Sequence, residues 1–426
     1  MTRTGTSSTD LSSLMLGMAQ RARAAASELV RLTPAQKNDA LERMARAIEA
    51  GSSQIQAENE RDLAAGRAQG LSPAMLDRLA LTDRRIAGMI QSLREVVALP
   101  DPVGETFDIQ TRPNGLRVGR MRSPIGVIGI IYESRPNVTA DASCLCLKSG
   151  NAVILRGGSE AFHSNTAIVE AIRGALRGSD VPEDAIQLIP VTDREAITAM
   201  LHLEGQIDLV IPRGGRGLIE TVVREARMQV IKHYDGNCHV YIDAHADLDL
   251  ARGLVINAKT QRPGVCNAAE SLIVHAAVPD PFLASLLGDL IDLGVEIRGD
   301  EHVCALEPRA KAATEEDWGE EYLDLILSVK VVDTFEEAVA WINRHGSHHT
   351  DAIVTREHGL AMRFLAEVDS ACVFVNASTR FSDGGEFGLG CEIGISTDKL
   401  HARGPMGLRD LTTVKWIGLG TGQLRS

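Results

Sequence analysis

The sequence has no apolar run that approaches the roughly 20 residues needed to cross a bilayer, and its longest, residues 125–131, has the length of a strand. It also lacks a basic excess, because 57 acidic residues oppose 44 lysines and arginines and give a formal net charge of −13. Nucleic acids and anionic membrane surfaces are bound by basic faces. We therefore expect neither among the partners, and any anionic ligand has to be held by local positive groups and backbone N–H donors.

An export signal is also lacking, because residues 1–13 are rich in Ser and Thr and have no apolar segment. We expect them to form a disordered lead-in and the protein to be cytoplasmic. The seven cysteines are an odd number and are scattered, so reduced thiols are expected. Cys144 and Cys146 would point away from each other on a helix and are not expected to share a metal ion.

A chain of 426 residues is too long for one ordinary core, so two or three domains are expected. Residues 10–100 carry the start signals and apolar spacings of helices. Beyond them, short β-branched runs alternate with helical patterns, which predicts βαβ units and largely parallel sheets covered on both faces. The predicted strands lie at residues 127–131, 152–155, 186–189, 207–211, 271–275, 325–332, 352–354 and 371–376, and helices at 140–148, 161–176, 194–203, 217–226 and 335–343.

One cysteine, Cys266, lies in a short polar loop between a predicted helix and a predicted strand. A thiol there is open to a small molecule, and its thiolate is a strong nucleophile when the pKa is lowered from about 8.5. Lys259 and Arg262 could supply the electropositive surroundings that lower it. The alternative is a half-buried loop cysteine without a chemical role, since a single cysteine without a partner is a weak signal.

The segment Glu133–Val138 follows an apolar strand and opens a helix. Ligands of α/β sheets bind where strands end at their carboxyl edge, so the Asn137 amide could donate to an oxyanion there. A simple turn, with Pro136 and Asn137 present for backbone reasons, is the alternative.

A glycine-rich turn at Ile211–Leu218 connects a strand to a helix. Free N–H groups at a helix start attract phosphate, and Arg213 and Arg216 add positive charge. The turn matches neither the Walker pattern nor the Rossmann fingerprint, and a flexible connector is the alternative.

Two further polar segments leave alternatives open. His345–Asp351 contains three histidines and an aspartate, which suggests a metal site. It has no cysteine partner, so we expect a polar loop lining a cleft and no metal. Residues 381–390 are too rich in Gly and Asp for a stiff element, and they form either a mobile surface loop or a loop that closes on substrate.

Together these segments resemble the aldehyde dehydrogenase superfamily, through Arg135–Asn137 after a strand, His233–Asn237, Cys266 and Val375–Asn376. More narrowly, the chain is similar to a subfamily that reduces an acyl phosphate, through Tyr132–Val138, Lys259–Asn267, His345–Ile353 and Phe381–Gly390. The similarity extends from the first helices to the final strand.

The resemblance implies an α/β, aldehyde dehydrogenase-like fold with two doubly wound parallel-sheet domains and a small strand-based oligomerisation element. Residues 1–106 and 125–235 would form the NADPH-binding domain, and residues 236–385 the catalytic domain. Residues 107–124 and 408–426 would be oligomerisation strands, because superfamily members assemble by strand exchange and the segment 411–419 predicts a lone strand that needs a partner. A homo-oligomer is therefore expected.

The resemblance also implies roles for individual residues. Cys266 would be the nucleophile, and Asn137 with the Cys266 N–H would form the oxyanion hole. Members of the superfamily contact the adenosine ribose of the cofactor with a lysine and a glutamate. Here Arg156 replaces the lysine and adds a donor fork, and Ser159 replaces the glutamate and removes a negative charge that would repel a 2′-phosphate. NADPH is therefore expected rather than NADH. The implied cofactor-binding residues are Arg156, Ser159, Arg213, Gly214, Gly215, Gly217 and Glu321.

The implied activity is NADPH-dependent reduction of L-glutamyl 5-phosphate to L-glutamate 5-semialdehyde and phosphate through a cysteine thioester, a step of proline biosynthesis. Aldehyde oxidisers use a glutamate to activate water, and His233 occupies its place, which fits a thioester that exchanges with phosphate. Trp341 stands where the subfamily pattern has a histidine. The candidate substrate residues are Lys259 and Arg262 for the phosphate, and Ser378, Thr379 and Arg380 for the glutamate head group.

Two other functions stay open: an acylating aldehyde dehydrogenase that uses CoA, and a non-catalytic binding partner of the upstream kinase. Retention of Cys266 and Asn137 favours an enzyme. The expected partners are the small-molecule substrate and, transiently, glutamate 5-kinase.

Overall fold

Five helices precede the first strand in the computed structural model, which describes residues 8–425. They are α1 (Ser8–Leu29), α2 (Pro34–Ala50), α3 (Ser52–Ala68), α4 (Pro73–Leu79) and α5 (Asp83–Ala98). Thr33 and Gln36 form a capping box at the start of α2, and Ser72 caps α4. These side chains satisfy N–H groups that a helix start otherwise leaves unpaired.

Helix α1 corrects the expectation of a disordered N-terminal lead-in. Residues 8–13 belong to the helix, and residues 1–7 lie outside the described part of the chain. The helix is held because Leu11, Met15 and Met18 are buried on one of its faces, and such a face, rather than intrinsic propensity, stabilises most protein helices. The Ser and Thr content of the segment therefore misled the prediction.

The next elements follow the predicted alternation, with bounds shifted by a few residues. They are β1 (Thr106–Thr111), β2 (Arg117–Pro124), β3 (Val127–Tyr132), α6 (Asn137–Lys148), β4 (Ala152–Gly157), α7 (Phe162–Leu176), β5 (Ile186–Leu188), α8 (Glu195–Leu201), β6 (Leu209–Arg213), α9 (Arg216–Glu225) and β7 (Gln229–Val230). Strands β3 to β7 form a parallel sheet in the order β5-β4-β3-β6-β7. Tyr132 is paired with Gly157 and with Arg213, so these three strands end together at one carboxyl edge.

The second half of the chain builds a larger sheet. Its elements are β8 (Cys238–Ile242), α10 (Leu248–Thr260), β9 (Ala269–His275), α11 (Asp280–Asp292), β10 (Glu296–Gly299), α12 (Glu301–Leu306), β11 (Lys311–Ala312), β12 (Ile326–Val332), α13 (Phe335–His345), β13 (Thr350–Val354), α14 (His358–Glu367), β14 (Cys372–Val375), β15 (Gly394–Ser396), β16 (Gly404–Met406) and β17 (Thr412–Leu419). Seven of these strands form a parallel sheet in the order β11-β10-β12-β9-β8-β13-β14. Parallel strands buried on both faces account for the nearly continuous apolar runs.

Strand β17 is not the lone strand that the sequence predicts. It pairs antiparallel with β2 of the same chain, from Thr412 opposite Pro124 to Leu419 opposite Arg117. Strand β1 flanks β2 on its other side, so β2 is the centre of a three-stranded sheet. Trp416 on the outer strand is 68% exposed, and the predicted exchange of strands between protomers stays a prediction.

The chain divides into two compact units. Unit 1 comprises the described residues up to Lys232, with Gly388–Gly394 and the stretch from Met406 onwards, and unit 2 comprises His233–Phe387 and Ile395–Pro405. The division at Lys232 lies three residues from the predicted one, and the strands β1, β2 and β17 belong to unit 1. Across residues 8–425, no helix is both long and apolar enough to span a bilayer.

Candidate active site

In unit 2, Cys266 lies in the loop between α10 and β9, as the sequence predicts. Its side chain is half-buried, whereas Cys238 and Cys372 of the same unit are buried. Burial raises the pKa of the Cys238 thiol well above its usual value. Cys238 therefore stays protonated and donates to the Cys266 carbonyl over 3.1 Å, so it supports the loop that carries the half-buried Cys266.

The position of this loop is set by a close backbone approach. A Cβ atom at Gly236 would lie 2.1 Å from the carbonyl oxygen and 2.6 Å from the Cα of Cys266. Such distances exclude any side chain, so glycine is required here for packing. The Gly236 N–H donates to Glu321 Oε1 over 2.8 Å. Burial raises the pKa of the Glu321 carboxyl, and its predicted contact with the cofactor ribose stays a prediction.

Two histidines lie beside Cys266, and one of them belongs to the histidine-rich segment. His233, Cys266 and His349 each offer a ligand or acceptor atom, and these atoms lie within 4.8 Å of one another. The two imidazole rings meet edge to face with centroids 5.3 Å apart. His349 is buried rather than part of an open polar loop. The sequence left the role of His233 open and did not connect His349 with the cysteine, since the three residues are far apart along the chain.

The guanidinium of Arg380 is a cationic group near the cysteine. Its Nε donates to Gln261 over 2.8 Å. Burial lowers the pKa of the Arg380 guanidinium, the charge of Arg262 lowers it further, and Cys266 is within electrostatic reach of it. Arg262 belongs to the loop that carries the thiol, and Arg380 is within electrostatic reach of Arg262 and of Cys266, an arrangement that suits a dianionic phosphate. The role of Arg380 in binding the glutamate head group stays a prediction.

The structure does not support Lys259 as a phosphate ligand. Its side chain is fully buried on α10 and forms a 2.5 Å ion pair with Glu270, which is also fully buried. Glu270 accepts a further hydrogen bond from the Leu323 N–H. Burial lowers the pKa of the Lys259 ammonium. The pair is a structural element of the core, and an ammonium group held in this way is closed to a substrate.

The other substrate candidates lie next to the loop. Ser378 caps the turn Thr379–Phe381 by accepting from the Arg380 N–H. Asn267, the neighbour of the cysteine, donates to the Ser382 carbonyl over 2.8 Å. Thr379 Oγ1 and Asn267 Oδ1 are buried and have no hydrogen-bond partner among the described residues. Ser378 thus has a local structural role, and binding of a head group by this segment stays a prediction.

The buried ion pair gives the first test. Lys259→Met leaves the Glu270 carboxylate buried without its counter-ion, which typically costs about 3–5 kcal/mol. We expect urea denaturation to show such a loss for Lys259→Met and substantial recovery in the double variant Lys259→Met/Glu270→Gln. Arg262→Met, which removes an exposed charge, should leave stability within about 0.5 kcal/mol. A stable Lys259→Met variant with weakened phosphate binding would restore the original assignment.

In unit 1, Asn137 is the first residue of α6, directly after the carboxyl end of β3. Its Nδ2 donates to Asp141 Oδ2 over 3.0 Å, which fixes the amide and leaves its second N–H free to donate elsewhere. Burial raises the pKa of Asp141 to about 6, while Asn137 and Arg213 lower it. Above that pH the carboxylate holds the amide, so the orientation of Asn137 is specified by its own helix.

The glycine-rich turn binds a carboxylate in this structure. The Gly215 N–H donates to Glu133 Oε2 over 2.9 Å, and a Cβ at Gly214 would lie 2.4 Å from the same oxygen. The start of α9 therefore holds the Glu133 carboxylate through a backbone N–H. Arg213 lies 3.9 Å from Glu392, and a Cβ at Gly217 would meet open space. Binding of a pyrophosphate by these residues stays a prediction.

Arg156 is the last residue but one of β4, at the same carboxyl edge. It donates to the Thr192 carbonyl over 3.1 Å, and its buried Nε has no partner among the described residues. Burial lowers the pKa of the guanidinium and Arg194 lowers it further, while Glu160 raises it. Ser159, a cofactor-binding candidate from the sequence, is exposed. The neighbouring Glu160, which no sequence signal marked, accepts hydrogen bonds from the N–H and the hydroxyl of Ser134.

Comparison with known proteins agrees with this architecture. The sequence model of the aldehyde dehydrogenase family matches residues 15–304. The chain therefore belongs to the aldehyde dehydrogenase family, a family of oxidoreductases that act on aldehydes with nicotinamide cofactors.

Within that family, the chain is grouped with the gamma-glutamyl phosphate reductases. The enzyme of that name from Moorella thermoacetica is 59% identical over 406 residues, covering 95% of this chain and 97% of the relative. The crystal structure of the gamma-glutamyl phosphate reductase of Thermotoga maritima has a TM-score of 0.94 at 47% identity, covering 97% of this chain and all of that one. An engineered glycolyl-CoA reductase with bound NADP⁺ shares the fold at a TM-score of 0.67 and 17% identity, covering 95% of this chain and 96% of that one.

Proposed function

We propose that the chain reduces L-glutamyl 5-phosphate to L-glutamate 5-semialdehyde and phosphate with NADPH, through a thioester on Cys266, in proline biosynthesis. The observation that carries the proposal is the half-buried Cys266 on a loop fixed by Gly236, with Arg262 on the same loop and Arg380 within electrostatic reach of the thiol. The names of the relatives supply the substrate. The same fold with a cysteine but without a phosphate-binding group would favour a different acyl donor.

The first step forms a carbon–sulfur bond and breaks a carbon–oxygen bond. The Cys266 thiolate attacks the acyl carbon, and phosphate leaves with the electron pair of that bond. His233 and His349 each have a ring nitrogen within 4.8 Å of Cys266 Sγ. These imidazoles can accept the thiol proton and stabilise the thiolate. Arg262 and Arg380 would bind the phosphate before and after it leaves. We assign Asn137 and the Cys266 N–H to the oxyanion, for which one donor is worth about 10²–10³ in rate.

The second step reduces the thioester to the aldehyde and frees the thiolate. When bound, NADPH supplies the hydride. Arg156 fits the 2′-phosphate of that cofactor, because its buried Nε has no partner within residues 8–425 and a second guanidinium, Arg194, is close enough to repel it. An anion between two guanidiniums would relieve that repulsion. Since phosphate rather than water exchanges with the thioester, the histidine in place of a water-activating glutamate suits this chemistry.

The nucleophile is tested by Cys266→Ser, with Cys304→Ser as the matched control. Cys304 is also half-buried in unit 2, where its thiol is 3.6 Å from the Gly299 carbonyl. A serine hydroxyl is far less ionised near neutral pH, so we expect NADPH formation from glutamate 5-semialdehyde and phosphate to be abolished in Cys266→Ser. NADPH affinity should stay within a few-fold, and Cys304→Ser should be active. Substantial turnover by Cys266→Ser would remove the nucleophile assignment.

Cofactor choice is tested at Arg156. Loss of a charged hydrogen bond costs about 1.5–3 kcal/mol, so Arg156→Ala should raise the KM for NADPH by about 10-fold or more and leave the KM for NADH within about twofold. Arg177→Ala is the control, because this arginine forms an exposed pair with Glu183. An equal loss for both cofactors, or a preference of the unaltered protein for NADH, would contradict the assignment.

Assembly and contacts are also proposals. The outer strand β17 presents Val414, Trp416 and Leu419 to solvent, and an exposed apolar edge strand favours pairing with a second copy. We propose a homo-oligomer formed through this sheet. Transient contact with the kinase that supplies the acyl phosphate would limit its loss by hydrolysis.

A further inference from the structure

The group formed by His233, Cys266 and His349 has the composition of a metal site. One thiol and two imidazoles offer three ligand atoms that lie within 4.8 Å of one another. Thiolate and imidazole are the ligands that zinc prefers in proteins, and three protein ligands with an open fourth position form a known type of zinc site. The segment His345–Asp351 alone did not predict a metal site. Two of the three ligands, His233 and Cys266, lie outside that segment and far from it along the chain.

Hydrogen bonds already orient both histidines. His233 Nδ1 lies 2.8 Å from the Ile395 carbonyl oxygen. A carbonyl only accepts, so Nδ1 carries the proton and Nε2 keeps its lone pair. This tautomer, fixed by a backbone carbonyl, is the one found for histidines that bind metals. His349 Nδ1 lies 2.8 Å from the Thr350 hydroxyl and 3.6 Å from Cys238 Sγ, and these contacts orient the second ring.

The spacing requires only a small contraction. Zinc binds nitrogen at about 2.0–2.1 Å and sulfur at about 2.3 Å, which puts tetrahedral ligand atoms about 3.3–3.7 Å apart. Atoms within 4.8 Å of one another would close by at most about 1.5 Å. The half-buried Cys266 and His233 have room for such a shift, while the buried His349 can serve as the fixed ligand.

We propose that His233, Cys266 and His349 form an inhibitory site for Zn²⁺. Binding replaces the thiol proton by the metal ion and releases that proton to solvent. The sulfur lone pair that would attack an acyl carbon is then held in the metal–sulfur bond. Metal binding depends on the three side chains alone, whereas the inhibition also rests on the proposed role of Cys266.

Binding is measured with Co²⁺, which adopts zinc geometries and gives a thiolate-to-metal absorption band, on protein without an affinity tag. We expect one Co²⁺ per chain, displaced by Zn²⁺. The band should be lost in Cys266→Ser and retained in Cys391→Ser, the control for a rival thiol pair, because Cys144 and Cys391 have sulfurs 3.9 Å apart. His233→Asn and His349→Ala should each weaken binding by at least 10-fold, and His302→Ala, exposed and paired with Asp280, should not.

Inhibition is measured on the unaltered enzyme. We expect micromolar Zn²⁺ to suppress turnover reversibly, with full recovery on addition of EDTA. A band that persists in Cys266→Ser, or that disappears in Cys391→Ser, would overturn the site. His233→Asn guards the test against misfolding of the buried His349 variant. Co²⁺ binding at Cys266 with no loss of turnover would keep the site, overturn its inhibitory role and also exclude Cys266 as the nucleophile.

Discussion

The approach of the Gly236 backbone to Cys266 is the constraint on which the rest of unit 2's candidate site depends. There is no space for even a methyl group between the two backbones. The segment before β8 and the loop before β9 are therefore packed directly against each other. The Cys238 thiol adds a hydrogen bond to the same carbonyl, and Glu321 holds the Gly236 N–H from the other side. A nucleophile on a loop needs this kind of support, because catalysis requires the attacking atom to be positioned closely.

The candidate residues follow the strands of the unit 1 sheet but precede the strands of the unit 2 sheet. In unit 1, Asn137, Gly214 and Gly215 follow the carboxyl ends of β3 and β6, as ligand sites in parallel α/β sheets usually do. In unit 2, Gly236, Cys266 and His349 precede β8, β9 and β13 and therefore lie at the amino edge of their sheet. Free N–H groups and a helix start suit the binding of an anionic cofactor, while short loops at the start of three neighbouring strands bring a thiol and two imidazoles together.

Much of this could be predicted from the sequence. Apolar β-branched runs indicate strands buried on both faces, so most core strands of both sheets were predicted, although β8, which lies between β9 and β13, and β10 were not. Cys266 and Asn137 were singled out within motifs long enough to be specific. The predictions that failed depend on the direction of side chains and on contacts between distant segments. Lys259 is near the cysteine in sequence, but its side of α10 faces the core and Glu270. His233 and His349 meet only through the sheet, and nothing in the segment 411–419 shows that β2 is its partner.

The most direct test of the central claim is a single-turnover experiment with glutamate 5-semialdehyde and NADP⁺ in the absence of phosphate. The account predicts a burst of one NADPH per site, after which turnover stops. Mass spectrometry should then find the acyl group on Cys266. Addition of phosphate should restart turnover, and addition of CoA should not. Steady turnover without phosphate, a restart by CoA, or an acyl group on another residue would contradict it.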